Sequence, residues 1–147
     1  MTAKKIFLID DDPDDRAFFC EALEEVAADV LCYSAVNGRK ALSQIINKEI
    51  EIPDVIFLDI NMPKMNGWQF LSMLKQHKPY EKVPVIMYST SSHPEDVEKA
   101  RQAGALCLFT KPNDFNTLKK ALETVVVHLR NNSLSSLVLD SPLFLVS

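Results

Sequence analysis

Asp59 combines a chemically reactive side chain with an unusual setting. It follows the apolar run 55–58, and Pro63 marks a turn shortly after it. A run of β-branched and aromatic residues predicts a strand buried on both faces, and therefore a central strand of a parallel sheet. A carboxylate is costly inside such a run, but at its carboxyl end it can meet polar groups or a cation. Asp59 is therefore the first candidate for a reactive group.

Other polar groups come directly after three further apolar runs of the chain. They are Asp10-Asp11-Asp12 after the first run, Ser89-Thr90 after the fourth and Lys111-Pro112 after the fifth. The carboxyl ends of parallel strands share one edge, so Asp10, Asp11, Asp59, Ser89 and Lys111 are expected to converge. Carboxylates this close repel one another and raise one another's pKa unless a cation joins them. Mg²⁺ suits two carboxylates and a backbone carbonyl, and the pattern predicts a magnesium site.

The elements that must position these groups alternate along residues 6–130. The predicted strands are 6–9, 31–35, 55–58, 83–88 and 106–110, and the predicted helices are 14–28, 38–48, 67–77, 94–103 and 116–130. Buried strands that alternate with helices predict an α/β fold, a doubly wound parallel sheet with right-handed crossovers. Gly104 is expected to end the fourth helix. The composition changes only after Arg130.

Composition excludes several classes of protein. The chain has 147 residues, enough for one domain with a sizeable core, and 47% of them are hydrophobic. With 16 basic and 20 acidic residues and a net charge of -4, direct nucleic-acid binding is disfavoured. The three cysteines form no CxxC pair, and we expect reduced, buried thiols. The N-terminus has too short an apolar run for a signal peptide or membrane span, which predicts a cytoplasmic protein.

The pattern of polar residues at the strand ends resembles that of the receiver domain of two-component response regulators, of the single-domain chemotaxis-regulator type. The resemblance covers Lys4 to about Arg130. It rests on the acidic pair Asp10-Asp11, the segment Asp59-x-x-Met62-Pro63-x-x-x-Gly67, Ser89 and Lys111-Pro112. It implies a flavodoxin-like fold, with five parallel strands in the order 2-1-3-4-5. It leaves residues 131–147 as a hydrophobic C-terminal tail with no output domain.

The resemblance also implies a role for each site residue. Asp59 would be the phosphoacceptor, attacking a phosphohistidine on a sensor histidine kinase or phosphotransfer protein. Asp11 and Asp59, with the backbone carbonyl of Asn61, would hold Mg²⁺, and Asp10 would support the site directly or through metal-bound water. Lys111 would pair with a phosphoryl oxygen, and the Ser89 hydroxyl would move toward the phosphate. The Lys111-Pro112 bond would be cis.

Phosphorylation would then alter the affinity for a downstream protein partner, with the fourth helix, fifth strand and fifth helix as the output face. Such a domain is a signalling module rather than an enzyme, although it can catalyse its own phosphorylation and dephosphorylation. Two residues depart from the common receiver pattern. Leu108 stands where Tyr or Phe is usual, and Phe109 should point to the opposite face of the sheet. Thr90 is branched where a small residue is common, so we expect slower access to Asp59.

Simpler structural roles explain some neighbouring polar residues. Asp12, Asp14 and Asp15 are interpreted as an acidic helix start, since Asp is favoured at N-caps and in the first turn. Ser91 and Ser92 are interpreted as a cap for the helix that Pro94 opens.

Three other functions stay open. A phosphatase of the haloacid dehalogenase type shares the strand-end aspartate, but it needs a second aspartate where this chain has Asn61. A flavodoxin-like cofactor binder would need a phosphate-cradling loop after the first strand, where this chain is acidic. A receiver-like scaffold that works without phosphorylation would not need Asp59, Asp11 and Lys111 together. The tail after Arg130 has two interpretations, a flexible segment or one that packs on the last helix or on a second subunit in a homodimer.

Overall fold

The computed structural model describes residues 3–90, 93–141 and 143–146, without the side chain at position 140. Its strands are β1 (Lys5–Ile9), β2 (Leu31–Ala35), β3 (Val55–Asp59), β4 (Val85–Ser89), β5 (Cys107–Thr110) and β6 (Phe144–Leu145). Its α-helices are α1 (Pro13–Val26), α2 (Gly38–Ile46), α3 (Gly67–Leu74), α4 (Pro94–Gln102), α5 (Phe115–Arg130) and α6 (Leu137–Asp140). Short 3₁₀ turns span Tyr80–Lys82 and Leu134–Ser136. Within these ranges no helix has the length and apolar character to cross a membrane.

The sheet has the strand order β2-β1-β3-β4-β5-β6. The first five strands are parallel, and β6 is antiparallel to β5. The predicted α/β fold and the order of its five parallel strands are confirmed. The predicted strand count was wrong by one, because two residues of the C-terminal segment pair with the outer edge of β5.

Alternating residues of each strand feed two apolar cores, one on each face of the sheet. Ile6, Phe57 and Phe109 belong to the core covered by α1 and α5, which contribute Phe19 and Leu122. The other core lies under α2, α3 and α4, and among its members are Phe7, Ile56, Leu108, Ala41, Phe70 and Ala100. Because the helices cover both faces of the sheet, the carboxyl ends of the strands are the expected place for a polar functional site.

Local features of the chain explain where α1 begins and where α4 ends. Asp12 accepts hydrogen bonds from the Asp14 and Asp15 amides at the start of α1, as predicted for an N-cap. Gly104, with φ of 89°, comes after α4 in the left-handed conformation that favours glycine at a helix end. The predicted cap by Ser91 and Ser92 lies outside the described residues.

The C-terminal segment packs on its own chain. Leu137 is fully buried and Phe144 is 2% exposed in the core under α1 and α5. The ring of Phe144 stacks on Phe109 with centroids 4.5 Å apart, and the Thr110 amide donates to the Leu143 carbonyl at 3.3 Å. The structure therefore favours packing on the last helix and strand over a flexible tail.

Candidate functional site

The carboxyl ends of four parallel strands bring the candidate residues together. Asp59 ends β3 and is paired with Tyr88 of β4, while Ser89 at the end of β4 is paired with Thr110 of β5. Asp10 directly follows β1, and Lys111 directly follows β5. The convergence predicted from the strand ends is confirmed.

Three carboxylates form the centre of the site. One oxygen from each of Asp10, Asp11 and Asp59 lies within 4.8 Å of the other two. Asp10 is fully buried and Asp59 is 5% exposed, whereas Asp11 is more open to solvent. Two carboxyl groups are therefore held out of water beside a third, a donor set that fits a hard divalent cation such as Mg²⁺.

Lys111 supplies the counter-charge. Its Nζ lies 3.0 Å from Asp10 Oδ2, 2.9 Å from Asp15 Oδ2 and 3.6 Å from Asp59 Oδ1. Burial disfavours the charged ammonium, but these three carboxylates together outweigh it and raise the pKa of Lys111. The same Nζ lies 4.8 Å from the centroid of the Tyr88 ring. Lys111 is therefore charged and shared among several acceptors.

The site disfavours the ionised form of Asp59. Burial is the largest cause, and it raises the pKa of Asp59 from 3.8 to about 7. Lys111 and the hydrogen bond from the Asn61 amide oppose this rise, whereas the charge of Asp10 and a hydrogen bond with Asp11 add to it. Repulsion was the expected cause, but withdrawal from water is the stronger one. A bound cation would favour the ionised form.

The loop after β3 holds the side chain and backbone of Asp59 in place. The Asn61 amide donates to Asp59 Oδ1 at 3.3 Å, and the Gly67 amide donates to the Ile60 carbonyl at 2.8 Å. A Cβ atom on Gly67 would lie 2.4 Å from the Asp59 carbonyl oxygen. The glycine at position 67 is therefore required for steric reasons, because α3 begins in direct contact with the backbone of Asp59.

The space in front of Asp59 is a cavity of about 220 Å³ lined by acidic and polar residues. Its lining residues are Asp11, Asp12, Asp15, Asp59, Asn61, Thr90 and Lys111. A larger cavity of about 390 Å³ lies between the start of α2 and residues 63–65, but no carboxylate is among its lining residues. Asn61 and Thr90 thus share the mouth of the site with the charged groups.

Ser89 lies beside Lys111, deeper than Thr90. It is 1% exposed, and its backbone carbonyl accepts a hydrogen bond of 2.7 Å from the Lys111 amide. This bond ties the ends of β4 and β5 together next to Asp59. Leu108 is buried in the core under α2, α3 and α4, and Phe109 lies in the opposite core, as strand alternation predicted.

The structure extends one expectation and contradicts another. Asp15 lies in the first turn of α1, as the interpretation of an acidic helix start predicted, but its carboxylate is also 2.9 Å from Lys111 Nζ. The sequence carries no signal for this contact, because Asp15 and Lys111 are 96 positions apart. The cis bond expected at Lys111-Pro112 was wrong, since the cis bond found is Lys78-Pro79; Lys111 reaches its partners from a trans peptide.

Comparison with known proteins identifies the family. The model for the response regulator receiver domain matches residues 6–123. Protein PilG of Pseudomonas aeruginosa is 32% identical over 122 residues, which cover 83% of this chain and 87% of PilG. A probable cyclic di-GMP phosphodiesterase of Vibrio cholerae is 30% identical over 92% of this chain, but the match spans only 29% of that protein.

Solved structures agree with the family model. The chemotaxis response regulator CheY4 of Vibrio cholerae has a TM-score of 0.71 at 30% identity, and the match covers 84% of this chain and 99% of that one. The phosphorylated cyanobacterial phytochrome response regulator RcpA has a TM-score of 0.79 at 25% identity, covering 88% of this chain and 96% of RcpA. With the family model spanning most of its length, the chain belongs to the response regulator receiver domain family, whose members are phosphoacceptor signalling domains of two-component systems.

Proposed function

We propose that Asp59 accepts the phosphoryl group of this receiver domain from a histidine kinase or phosphotransfer protein. The single observation that carries the proposal is the setting of the Asp59 carboxylate. It is a buried carboxylate at a strand end, 3.6 Å from a lysine ammonium and clustered with two further carboxylates. Asp10 shares these features, with its Oδ2 3.0 Å from Lys111 Nζ, but among the described residues Asp59 and not Asp10 lines the polar cavity, where a phosphoryl group would enter.

In the proposed reaction an Asp59 carboxylate oxygen attacks the phosphorus of a phosphohistidine. A P–O bond forms as the P–N bond breaks, and the imidazole nitrogen leaves with the electron pair. Because burial raises the pKa of Asp59 to about 7, the nucleophile is fully ionised only when a cation or a higher pH favours its charge. The product is an acyl phosphate on Asp59.

Mg²⁺ is the proposed metal, with Asp10, Asp11, Asp59 and the backbone carbonyl of Asn61 as its candidate ligands. It would neutralise and orient phosphoryl oxygens during transfer. The clustered carboxylate oxygens fit a cation that prefers oxygen ligands and keeps several waters. Isothermal titration with Mg²⁺ should give binding to the wild type that Asp11→Asn weakens strongly.

Lys111 and Ser89 are proposed to respond to the phosphoryl group. Lys111 is already charged and near Asp59, so a phosphoryl oxygen can replace Asp10 or Asp15 as one of its acceptors. Ser89 is linked to it through the hydrogen bond between the Ser89 carbonyl and the Lys111 amide. Movement of Lys111 would therefore displace the backbone at the ends of both β4 and β5.

Signalling is proposed to proceed by a population shift between two conformations that changes affinity for a downstream protein. An aromatic side chain that rotates at position 108 is not available, because that residue is Leu108, fully buried in the core. The output is therefore expected to depend on the backbone ends of β4 and β5 and on the adjoining α4 and α5. A cytoplasmic location remains a prediction.

Residues 4–130 are proposed as the receiver unit and residues 131–147 as a hydrophobic C-terminal tail, in which Leu137 and Phe144 pack against the core of the unit. Phe144 and Leu145 occupy the β5 edge in the monomer, so a homodimer through this edge would require the segment to move. Removal of the residues after Arg130 should then change the oligomeric state, measured by sedimentation. Unchanged sedimentation would count against a role for this segment in oligomerisation.

The alternatives have no specific support. A phosphatase of the haloacid dehalogenase type would need a general acid at position 61, where the cavity is lined by Asn61, a residue without a carboxyl group. A phosphorylation-independent scaffold would not require an ammonium buried beside Asp59.

The test is intact-mass analysis after incubation with Mg²⁺ and acetyl phosphate. Wild type should gain one phosphoryl group, and Asp59→Asn should gain none. Asp14→Asn is the matched control, since Asp14 is an exposed acidic residue in the first turn of α1 and should behave as wild type. A phosphoryl gain that persists in Asp59→Asn would overturn the assignment. Repeating the comparison with a panel of histidine kinases would identify the donor.

A further inference from the structure

Two cysteines that play no part in the proposed phosphoryl transfer lie side by side. Cys20 is on α1 and Cys32 is on β2, and their Sγ atoms are 3.1 Å apart. The third cysteine, Cys107, is in the buried strand β5. Cys32 comes twelve positions after Cys20 in the sequence, so their contact is made by the docking of α1 on the sheet rather than by local sequence.

The pair is placed where a small reagent can reach it. β2 is the edge strand of the sheet, and both Cys20 and Cys32 are partly exposed, so the expectation of buried thiols was wrong for these two cysteines. Cys107 by contrast is 2% exposed in the core under α1 and α5. The structure thus separates one accessible dithiol from one inert thiol.

We propose that Cys20 and Cys32 are a dithiol site that forms a reversible intramolecular disulfide, with a low-molecular-weight disulfide such as oxidised glutathione as the oxidant. The bond would join α1 to the β2 edge. The sulfur atoms need to approach by only about 1 Å to reach the bond length of about 2.05 Å, a movement within the reach of side-chain rotation. The proposal does not depend on the function assigned to Asp59.

The two thiols have different parts in the exchange. The hydrogen bond from Cys32 lowers the pKa of Cys20 to about 7, with a smaller contribution from the charge of Arg16, so Cys20 is the better attacking thiolate. The same hydrogen bond and burial raise the pKa of Cys32. Cys20 is therefore the nucleophile and Cys32 the resolving thiol.

The steps balance without any further reagent. The Cys20 thiolate attacks one sulfur of oxidised glutathione, forming a mixed disulfide and releasing one glutathione thiolate. Cys32 loses its proton, attacks the Cys20 sulfur and releases the second glutathione. Two cysteine thiols are oxidised to one disulfide, one glutathione disulfide is reduced to two thiols, and the two protons end on those thiols.

A disulfide here would act on the neighbourhood of the phosphorylation site. Arg16 lies one helical turn before Cys20, and its guanidinium donates to the Asp10 carbonyl at 2.7 Å. Joining α1 to β2 would limit movement of the helix that carries Arg16 and Asp15. A constraint on the unfolded chain also stabilises the folded state.

The test exposes the native full-length protein to oxidised glutathione and counts free thiols by alkylation and intact mass. Wild type should fall from three free thiols to one, and peptide mapping should find the bond between Cys20 and Cys32. Dithiothreitol should restore all three thiols, and the urea midpoint of the oxidised form should move upward. Cys107→Ser should give the same bond, because Cys107 is buried apart from the pair.

Single variants test the order of attack. Cys32→Ser should stop at a stable glutathione adduct on Cys20, while Cys20→Ser should react many-fold more slowly at Cys32. Wild type that retains three thiols, or that forms disulfide-linked dimers instead of the internal bond, would overturn the proposal. The wild-type measurement decides the matter even if a variant folds poorly.

Discussion

Ionised Asp59 should destabilise the metal-free protein, so Asp59→Asn should be more stable than wild type at high pH. Asp59 is 5% exposed and clustered with Asp10 and Asp11. The pKa of Asp59 rises from 3.8 to about 7, first because of burial. Each pKa unit corresponds to about 1.4 kcal/mol, so a shift of about three units sets a ceiling of ~4 kcal/mol on the free energy of unfolding.

The sign of the effect depends on proton binding. Because the folded-state pKa of Asp59 lies above its unfolded value, the folded protein binds the extra proton. The stability that this proton contributes is fully present below pH 3.8 and is lost as the pH rises through about 7. Asparagine has no such proton, so the stability gap between Asp59→Asn and wild type should widen across this window.

Urea unfolding followed by circular dichroism, with a chelator present, measures the gap. We expect Asp59→Asn to exceed wild type by roughly 2–4 kcal/mol at pH 8, and the gap to shrink by about 2–3 kcal/mol at pH 5. Mg²⁺ should stabilise wild type more than the variant at pH 8, because only wild type offers the third carboxylate. Asp14→Asn should follow wild type at both pH values. A gap of equal size at pH 5 and pH 8 would refute the reasoning.

Three further substitutions probe the frame around the site. Phe144→Ala should lower the free energy of unfolding by about 2–4 kcal/mol through loss of a buried aromatic ring, whereas Leu139→Ala, at an 82% exposed position in the same segment, should change it by less than about 0.5 kcal/mol; equal urea midpoints would show that the segment does not pack. Gly67→Ala should cost about 1–3 kcal/mol, because its Cβ would meet the Asp59 carbonyl at 2.4 Å; a wild-type unfolding curve would contradict this close approach. Thr90→Ala should speed phosphorylation by acetyl phosphate by up to about tenfold, equivalent to ~1.4 kcal/mol of barrier, since a branched side chain leaves the mouth of the cavity; an unchanged rate in a mass-resolved time course would show that Thr90 does not limit access.

The sequence was sufficient to predict that Asp10, Asp59, Ser89 and Lys111 converge. Each comes after or ends a short run of buried strand character, and parallel strands place their carboxyl ends on one edge whatever the details of packing. The same alternation of side chains put Leu108 and Phe109 in opposite cores. These features depend on periodicity and topology, and both can be read from the chain.

Contacts between elements that are distant in sequence depended on the fold. Asp15 reaches Lys111 because burial of Phe19, Ala22 and Leu23 sets the rotation of α1 about its axis, and a helix start read alone cannot specify that rotation. Cys20 meets Cys32 for the same reason.

The sequence by itself determined the fold class, the order of the elements and the group of polar residues at the carboxyl edge of the sheet, because strand and helix patterns are local; the phosphoryl role of that group came from the family resemblance. Only the tertiary structure decided how Lys111 is shared among Asp10, Asp15 and Asp59. It also decided that burial dominates the pKa of Asp59 and that Phe144 and Leu145 cover the edge of β5. Charge sharing, withdrawal from water and antiparallel pairing of a two-residue strand all depend on distances that close only when the chain has folded.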